Sequence, residues 1–401
     1  DANIDPMSIG LLEAHGTGTA AGDQAEFEGL KEVFSNKNIV KSDSTDSQYI
    51  ALGSIKSQIG HTKAAAGVAG LIKTVLALHH KILPPTINID QPNTKLGIEK
   101  TPFYLNTETR PWINNGSPRR AGVSAFGFGG TNFHFVLEEF NESKSVEFRM
   151  HKTFSNIFLS ETTLEELIVS CKNLIEELNK EGADHLHRKL LESSRENTIP
   201  KKHVRLGFVT ESIENTLELL EQAVTNLEIN KEKKEWITKG VVFRSFAMET
   251  EGKVVALFSG QGSQYLNMGK DLILNFPEMS KPFTVIDKLF KDKSEETITE
   301  NKSFSKLIFP ITVFDEEKFS AQETQLQLTE IAQPAIGAIS AGLFKILTNA
   351  GLKADFSAGH SFGELTALWA AGVISEEDFY KLSFARGQAM AAPKDKDFDA
   401  G

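Results

Sequence analysis

Glu13-Ala14-His15-Gly16-Thr17-Gly18-Thr19 stands directly behind an apolar strand-like run, Ser8–Ala14, and its reading decides the fold. Two similar junctions lie downstream. Lys56-Ser57-Gln58-Ile59-Gly60-His61-Thr62 follows the strand-like run Ala51–Ile55 and opens a helix rich in small residues, Lys63–His79, that reads as buried. Gly127-Phe128-Gly129-Gly130-Thr131-Asn132 is a tight turn between the runs Ala121–Ala125 and Phe133–Leu137. Strands broken by glycine-rich turns and a small-residue helix predict an α/β segment whose polar groups gather at strand ends. Two imidazoles so placed could converge on one pocket, hydrogen-bond a developing enolate or oxyanion and move protons. Lys56 could set their charge state. The hydroxyls of Thr17 and Thr19 could hold an amide-bearing substrate arm, and the glycines let backbone amides come close. Each histidine taken alone also reads as a satisfied core residue.

A second pattern lies near the C-terminus. Gly359-His360-Ser361-Phe362-Gly363 fits the Gly-x-Ser-x-Gly elbow, with a short strand candidate, Asp355–Ala358, before it and a helix after it. That context turns the serine hydroxyl out of the backbone. Upstream, Ser259-Gly260-Gln261-Gly262-Ser263-Gln264 follows the strand-like run Val254–Phe258, where Gln261 could present a backbone N–H to an oxyanion. Downstream, Arg386 lies on a helix and could form a bidentate pair with a free carboxylate. The pentapeptide alone also suits an esterase, and Arg386 alone also reads as a surface arginine.

Around these patterns the chain divides into three zones. Residues 1–140 are rich in Gly, Ala and Thr. Residues 141–252 gain Lys and Glu, and Leu164, Leu167, Ile168, Cys171, Leu174, Ile175 and Leu178 form one apolar stripe at helical spacing. Residues 253–401 return to an α/β pattern. The 401 residues carry a formal net charge of −11, which argues against nucleic acid or an anionic membrane as the main partner. The single cysteine, Cys171, excludes an internal disulfide and, on its apolar stripe, reads as a buried structural thiol. The longest apolar candidate for a membrane span, near Val68–Leu78, is interrupted by Lys73. No His, Cys, Asp or Glu set has metal-ligand spacing, so no metal is expected.

The three motifs of residues 1–140 resemble the beta-ketoacyl synthases, in that family's order. The resemblance implies the C-terminal half of a thiolase-like fold, with His15 and His61 as the two histidines of a Cys-His-His triad and Lys56 as the active-site lysine. It implies that Thr17 and Thr19 contact the phosphopantetheine arm and that Phe128 gates the acyl pocket. The motifs of residues 253–401 resemble the malonyl-type acyltransferases. Here the resemblance implies the N-terminal part of an α/β-hydrolase-like fold, with Ser361 as acyl-accepting nucleophile. Gln261 and Phe362 would supply the oxyanion amides, and Arg386 would bind the malonyl carboxylate. Residues 141–252 sit where such synthases place a small α/β linker domain. Both ends read as cut: the nucleophilic cysteine is expected before Asp1, and the catalytic histidine after Gly401.

The resemblance as a whole is to type I multienzymes, most of all polyunsaturated fatty acid synthases, with modular polyketide synthases second. It implies a cytoplasmic, dimeric enzyme that extends acyl chains by decarboxylative condensation of malonyl units. The implied partners are malonyl-CoA, acyl carrier domains bearing phosphopantetheine, and a second copy joined through the ketosynthase. It implies no directly bound cofactor. A serine esterase built on Ser361 and a non-catalytic scaffold are the rival readings.

Overall fold

The computed structural model describes residues 2–34, 48–113, 117–127, 129–140, 154–196, 199–247, 252–294 and 303–391. Phe128 lies outside the described residues. The chain folds as two units: residues 1–149 with 254–401, and residues 150–253. The first and third zones of the sequence therefore share one unit. Arg110 Nη2 donates to the Phe309 carbonyl, Thr107 Oγ1 bonds Thr312 Oγ1 at 3.2 Å, and Lys270 pairs with Glu108 at 2.7 Å.

The first segment of this unit runs β1 (Ile9–Glu13), α1 (Ala20–Phe34), β2 (Ile50–Gly53), α2 (Lys56–Ile59), α3 (Ala66–His80), β3 (Ile82–Leu83), β4 (Phe103–Leu105), β5 (Arg110–Pro111), β6 (Arg120–Phe126) and β7 (Asn132–Glu138). Five strands form one sheet in the order β4-β2-β1-β6-β7. The first four are parallel, with Leu12 opposite Leu52 and Gly122, and β7 closes the edge antiparallel to β6. The central strands are buried on both faces, as parallel strands usually are. Hence β1 and β2, which run in parallel, deliver their C-terminal ends, and the motifs behind them, to the same sheet edge.

The small-residue helix differs from its sequence reading in one respect. It buries Ala66, Gly70, Lys73, Thr74, Ala77 and Leu78, while Val68 and Ile72 remain 55% exposed. Small residues at one stripe allow close approach to the sheet, and the opposite stripe is left uncovered among the described residues.

The remaining segment of this unit contains β12 (Val255–Phe258) and β13 (Phe356–Gly359), paired in parallel. Between and after them come α7 (Lys270–Asn275), α8 (Pro277–Ser294), α9 (Ser305–Ile308), α10 (Glu316–Gln327), α11 (Thr329–Asn349), α12 (Gly363–Ala370) and α13 (Glu376–Ala389). Its core gathers Phe283, Phe304, Ile336, Phe362, Phe379 and Tyr380. By length and composition α11 is apolar enough to cross a membrane, which the sequence reading overlooked. Its residues from Ile331 to Ala338 are buried in that core, and they include Gln333 and Pro334.

The second unit holds β8 (Ser155–Glu161), α4 (Leu164–Leu178), α5 (Asp184–Glu196), β9 (Val204–Thr210), α6 (Ile213–Ile229), β10 (Glu235–Thr238) and β11 (Val241–Arg244). Its four strands form an antiparallel sheet, order β10-β11-β9-β8. Thr163 caps α4, and Glu166 returns the bond to the Thr163 N–H. The stripe read from the sequence packs inward, with Cys171 fully buried. Burial, and then the negative charge of Glu161, push the Cys171 thiol up to about 12, so it is an inert core group.

Candidate functional sites

At the C-terminal edge of β1 and β2, His15 and His61 stand edge to face, ring centroids 5.7 Å apart. Each imidazole is oriented by a backbone donor. The Phe126 N–H donates to His15 Nδ1 at 3.3 Å, and the Lys63 N–H donates to His61 Nδ1 at 3.0 Å. A neutral ring that accepts at Nδ1 carries its proton at Nε2. Two Nε2–H donors on neighbouring rings can serve one oxyanion.

The turn that holds His15 is fixed from below. Glu26 accepts the N–H groups of His15 (2.7 Å) and Gly16 (2.8 Å), one on each carboxylate oxygen. Gly16 has φ +46°, and a Cβ there would lie 2.7 Å from Ser54 Cβ, so only glycine fits. Lys56 donates from Nζ to the His15 carbonyl at 2.5 Å. It therefore acts on the ring through its charge and not by a direct bond. Burial, then the charges of Lys56 and His61, hold the His15 pKa below the ordinary imidazole value. Burial also lowers the Lys56 pKa, against the pull of Glu13 and Glu26.

Glu13, 1% exposed, anchors both motifs: Oε1 accepts the Ile55 N–H at 2.6 Å and Oε2 pairs with Lys73 Nζ at 2.8 Å. Burial raises the Glu13 pKa, and the Lys73 charge opposes that rise. Glu13, Glu26, Lys73 and Phe126 were not read as site residues from the sequence. A lysine within an apolar helix and an acid closing a buried strand were the available signals. Thr17 and Thr19 lie 3.1 Å apart by their hydroxyls. A cavity of about 360 Å³ is lined by the polar side chains of Thr17, Lys56 and Glu26 and by the apolar ones of Phe27, Leu30 and Leu105. Thr19, His15 and His61 do not line it.

The second site is the turn from β13 into α12. Ser361 has φ +54°, a conformation that costs a residue with a side chain about 1–3 kcal/mol. The turn is held closed by His360 N–H to the Phe258 carbonyl (3.1 Å) and Gly363 N–H to the His360 carbonyl (2.9 Å). A Cβ on Gly260 would stand 2.5 Å from the His360 carbonyl oxygen and 3.2 Å from Ser361 Cβ, so the loop carrying Gln261 lies against the elbow. Among the described residues, the N–H groups of Gln261 and Phe362 have no hydrogen-bond partner. The Phe362 side chain itself is buried in the core.

Gln261 is tied to the start of α11. Its Nε2 donates to Thr329 Oγ1 at 3.1 Å, and its Oε1 accepts from Gln333 Nε2 at 3.2 Å. Gln333 is fully buried and also donates to Met390 Sδ at 3.7 Å. Next to Arg386, a Cβ on Gly387 would touch Thr329 and Glu330, so α13 packs on the same turn. Arg386 Nη1 is buried without a partner among the described residues. An unpaired guanidinium nitrogen out of water is a costly arrangement that an incoming carboxylate would relieve. Thr329 and Gln333 were not found from the sequence; a glutamine inside an apolar helix was the signal.

Comparison with known proteins gives these geometries a lineage. The model of the beta-ketoacyl synthase C-terminal domain matches residues 1–90. That of the ketoacyl-synthetase C-terminal extension matches residues 92–210, and that of the acyl transferase domain residues 255–396. A polyunsaturated fatty acid synthase of Thraustochytrium sp. is 34% identical, over 97% of this chain and 14% of its own length. The reducing polyketide synthase BOA6 of Botryotinia fuckeliana is 32% identical, over 97% of this chain and 15% of its own length. Polyketide synthase GfsB of Streptomyces halstedii is 31% identical, over 98% of this chain and 6% of its own length. The chain thus spans a small part of the length of these relatives. A solved ketosynthase from module 6 of the bacillaene synthase of Bacillus subtilis is 35% identical, covering 55% of this chain and 37% of that one, with a TM-score of 0.31. The mixed sheet of the first segment is the C-terminal half of a thiolase-like fold, and the elbow of Ser361 belongs to an acyl transferase domain. Three domain models in this order, with relatives that match across nearly the whole chain, make it a member of the ketosynthase–acyltransferase multienzymes that include polyketide and polyunsaturated fatty acid synthases.

Proposed function

We propose that this chain is part of a multienzyme that loads malonyl units and condenses them onto a growing acyl thioester. The observation that supports it most is the His15–His61 pair, two rings at 5.7 Å whose Nδ1 atoms are both engaged by backbone donors. In this reading the Ser361 hydroxyl attacks the thioester carbonyl of malonyl-CoA. The oxyanion sits on the N–H groups of Gln261 and Phe362, and coenzyme A leaves as its thiol. Arg386 reads the free malonyl carboxylate. The malonyl group then passes from Ser361 to the phosphopantetheine thiol of an acyl carrier domain.

Condensation follows at the paired histidines. Loss of carbon dioxide from the malonyl thioester leaves an enolate, stabilised by the two Nε2–H donors. Its carbon attacks an acyl thioester held on a cysteine, a new carbon–carbon bond forms, and the cysteine thiol is released. Cys171, buried and with its pKa raised, does not serve as that cysteine. Thr17 and Thr19 hold the pantetheine arm, and Phe128 gates the acyl pocket. Residues 141–252 form the linker between the catalytic domains of 1–140 and 253–401. The product class is polyunsaturated fatty acid, in keeping with the 34% identity over 97% of this chain. A polyketide product is the second reading, given comparable identities to polyketide synthases. A cytoplasmic homodimer joined through the ketosynthase belongs to the same reading.

The test is a reconstitution with the full-length protein, malonyl-CoA and an acyl-primed carrier. The proposal expects a β-ketoacyl thioester on the carrier, with one carbon dioxide released per bond. Release of free malonate without any carrier-bound product would make Ser361 the centre of a hydrolase instead.

A further inference from the structure

A cavity of about 180 Å³ in the first unit belongs to neither reacting site. Tyr49, Tyr104, Arg110, Trp112, Arg119 and Lys306 line it, and none of the residues discussed above as reacting groups does. Three cations therefore face one small space. Arg119 is neutralised: it pairs with Glu139 at 2.6 Å and donates from Nε to the Trp112 carbonyl at 2.5 Å. Arg110 and Lys306 have no such ion pair among the described residues.

Arg110 is 6% exposed and firmly built in. Its Nη1 donates to Tyr104 Oη at 2.8 Å, its Nη2 donates to the Phe309 carbonyl, and the guanidinium lies 5.3 Å from the centre of the Tyr104 ring. All of these partners are neutral. Its Nε is buried without a partner among the described residues, and so is Tyr49 Oη. The nearby acid, Asp287, holds two serines. It accepts from Ser303 Oγ at 2.6 Å and from Ser305 N and Oγ, both at 2.7 Å. Burial first, then the positive charge of Arg110, bring the Lys306 pKa down to about 8 against the opposing pull of Asp287.

Two buried donors here, Arg110 Nε and Tyr49 Oη, lack an acceptor among the described residues, and the single carboxylate of Asp287 offsets only part of the positive charge of Arg110 and Lys306. Leaving such groups unpaired away from water is costly. We propose that this cavity is a binding site for the phosphate group of a small molecule, held by Arg110, Lys306 and the Tyr49 hydroxyl. A phosphate supplies several acceptor oxygens and the missing negative charge, and arginine and lysine are its usual partners. The volume leaves room for a substituent beside the flat rings of Tyr104 and Trp112. Because α9 brings Lys306 from the acyltransferase segment and β5 brings Arg110 from the ketosynthase segment, the bound group would touch both.

The test is calorimetric titration of the full-length protein with inorganic phosphate and, separately, with adenosine 5′-monophosphate. Saturable binding of phosphate alone would identify a free-anion site, and tighter binding of the nucleotide a phosphomonoester site. In either case Lys306→Gln should weaken binding roughly tenfold or more, the loss expected for one hydrogen bond to a charged group. Tyr49→Phe, which removes a single oxygen, should weaken it several-fold, and Lys318→Gln on exposed α10 should leave it unchanged. The proposal is overturned if neither probe binds, as when an acidic segment of the parent protein fills the cavity. It is equally overturned if binding is indifferent to both Lys306→Gln and Tyr49→Phe.

Discussion

His15 and His61 face each other edge to face at 5.7 Å, and a backbone N–H holds Nδ1 of each. The arrangement leaves the two Nε2–H groups for substrate. In the full-length protein, His15→Ala and His61→Ala should each lower condensation by about 10²–10³, the usual cost of losing one oxyanion donor. Acyl loading on the condensing cysteine precedes the enolate and should change less. Single-turnover measurement of both steps separates the two effects; equal losses in loading and condensation would return the histidines to a structural role.

The same geometry fixes a pH dependence. Protonating His15 at Nδ1 breaks its bond from the Phe126 N–H, so the neutral ring is the working form. Burial and the Lys56 charge lower its pKa, and the neutral form therefore persists below the ordinary imidazole value. Condensation should stay level through neutrality and fall only on the acid side of that value. Removing the positive charge by Lys56→Met should raise the His15 pKa and move the fall to higher pH. A pH–rate profile of the two proteins checks the direction.

Glu13 and Lys73 form a buried ion pair beneath the paired motifs. Lys73→Met leaves an uncompensated carboxylate and should destabilise the first unit by about 3–5 kcal/mol. The double variant Glu13→Gln with Lys73→Met removes both charges and should recover part of that loss. Urea unfolding followed by limited proteolysis of this unit reads the difference.

Gly260 touches the elbow. A Cβ there meets the His360 carbonyl at 2.5 Å and Ser361 Cβ at 3.2 Å. Gly260→Ala should displace the nucleophile and cut the rate of malonyl loading by about 10², since a displacement of about 1 Å can cost that much. The condensing step, given a preloaded malonyl carrier, should be unaffected. Rapid-quench loading assays and a condensation assay on preloaded carrier test the two halves of this expectation.

Arg386 keeps a buried Nη1 without a partner among the described residues. Malonyl and acetyl groups differ by one carboxylate, and Arg386→Ala should lower malonyl transfer roughly ten- to several-hundred-fold. Acetyl transfer makes no such contact and should hold steady or rise. Transfer rates from both coenzyme A esters decide it: a parallel fall in the two would make Arg386 a packing residue.

What the sequence revealed was local. The turn glycines, the serine elbow and the stripe from Leu164 to Leu178 each depend on neighbours a few residues apart, so their spacing exposes them. The strands β8 to β11 were hidden in a Lys- and Glu-rich zone, although Val204–Thr210 buries alternate residues. The supports of the sites lie far apart in the chain: Glu13 meets Lys73 across 60 positions, and Gln261 meets Gln333 across 72. Lys56, expected to set the charge state of the histidines, bears on His15 through its charge while its Nζ bonds the His15 backbone carbonyl, a position that the turn decides and no motif records. The unpaired nitrogens of Arg386 and Arg110 are likewise properties of packing.

The central claim is that Ser361 accepts a malonyl group for use in condensation. Its most direct test is to mix the full-length protein with malonyl-CoA, quench, digest, and weigh the peptide that carries Ser361. The account predicts one malonyl group on that peptide, lost in Ser361→Ala and chased off by added acyl carrier protein. A malonyl adduct that survives Ser361→Ala on the same peptide, or an unmodified Ser361 peptide in a protein that still loads its carrier, would contradict it.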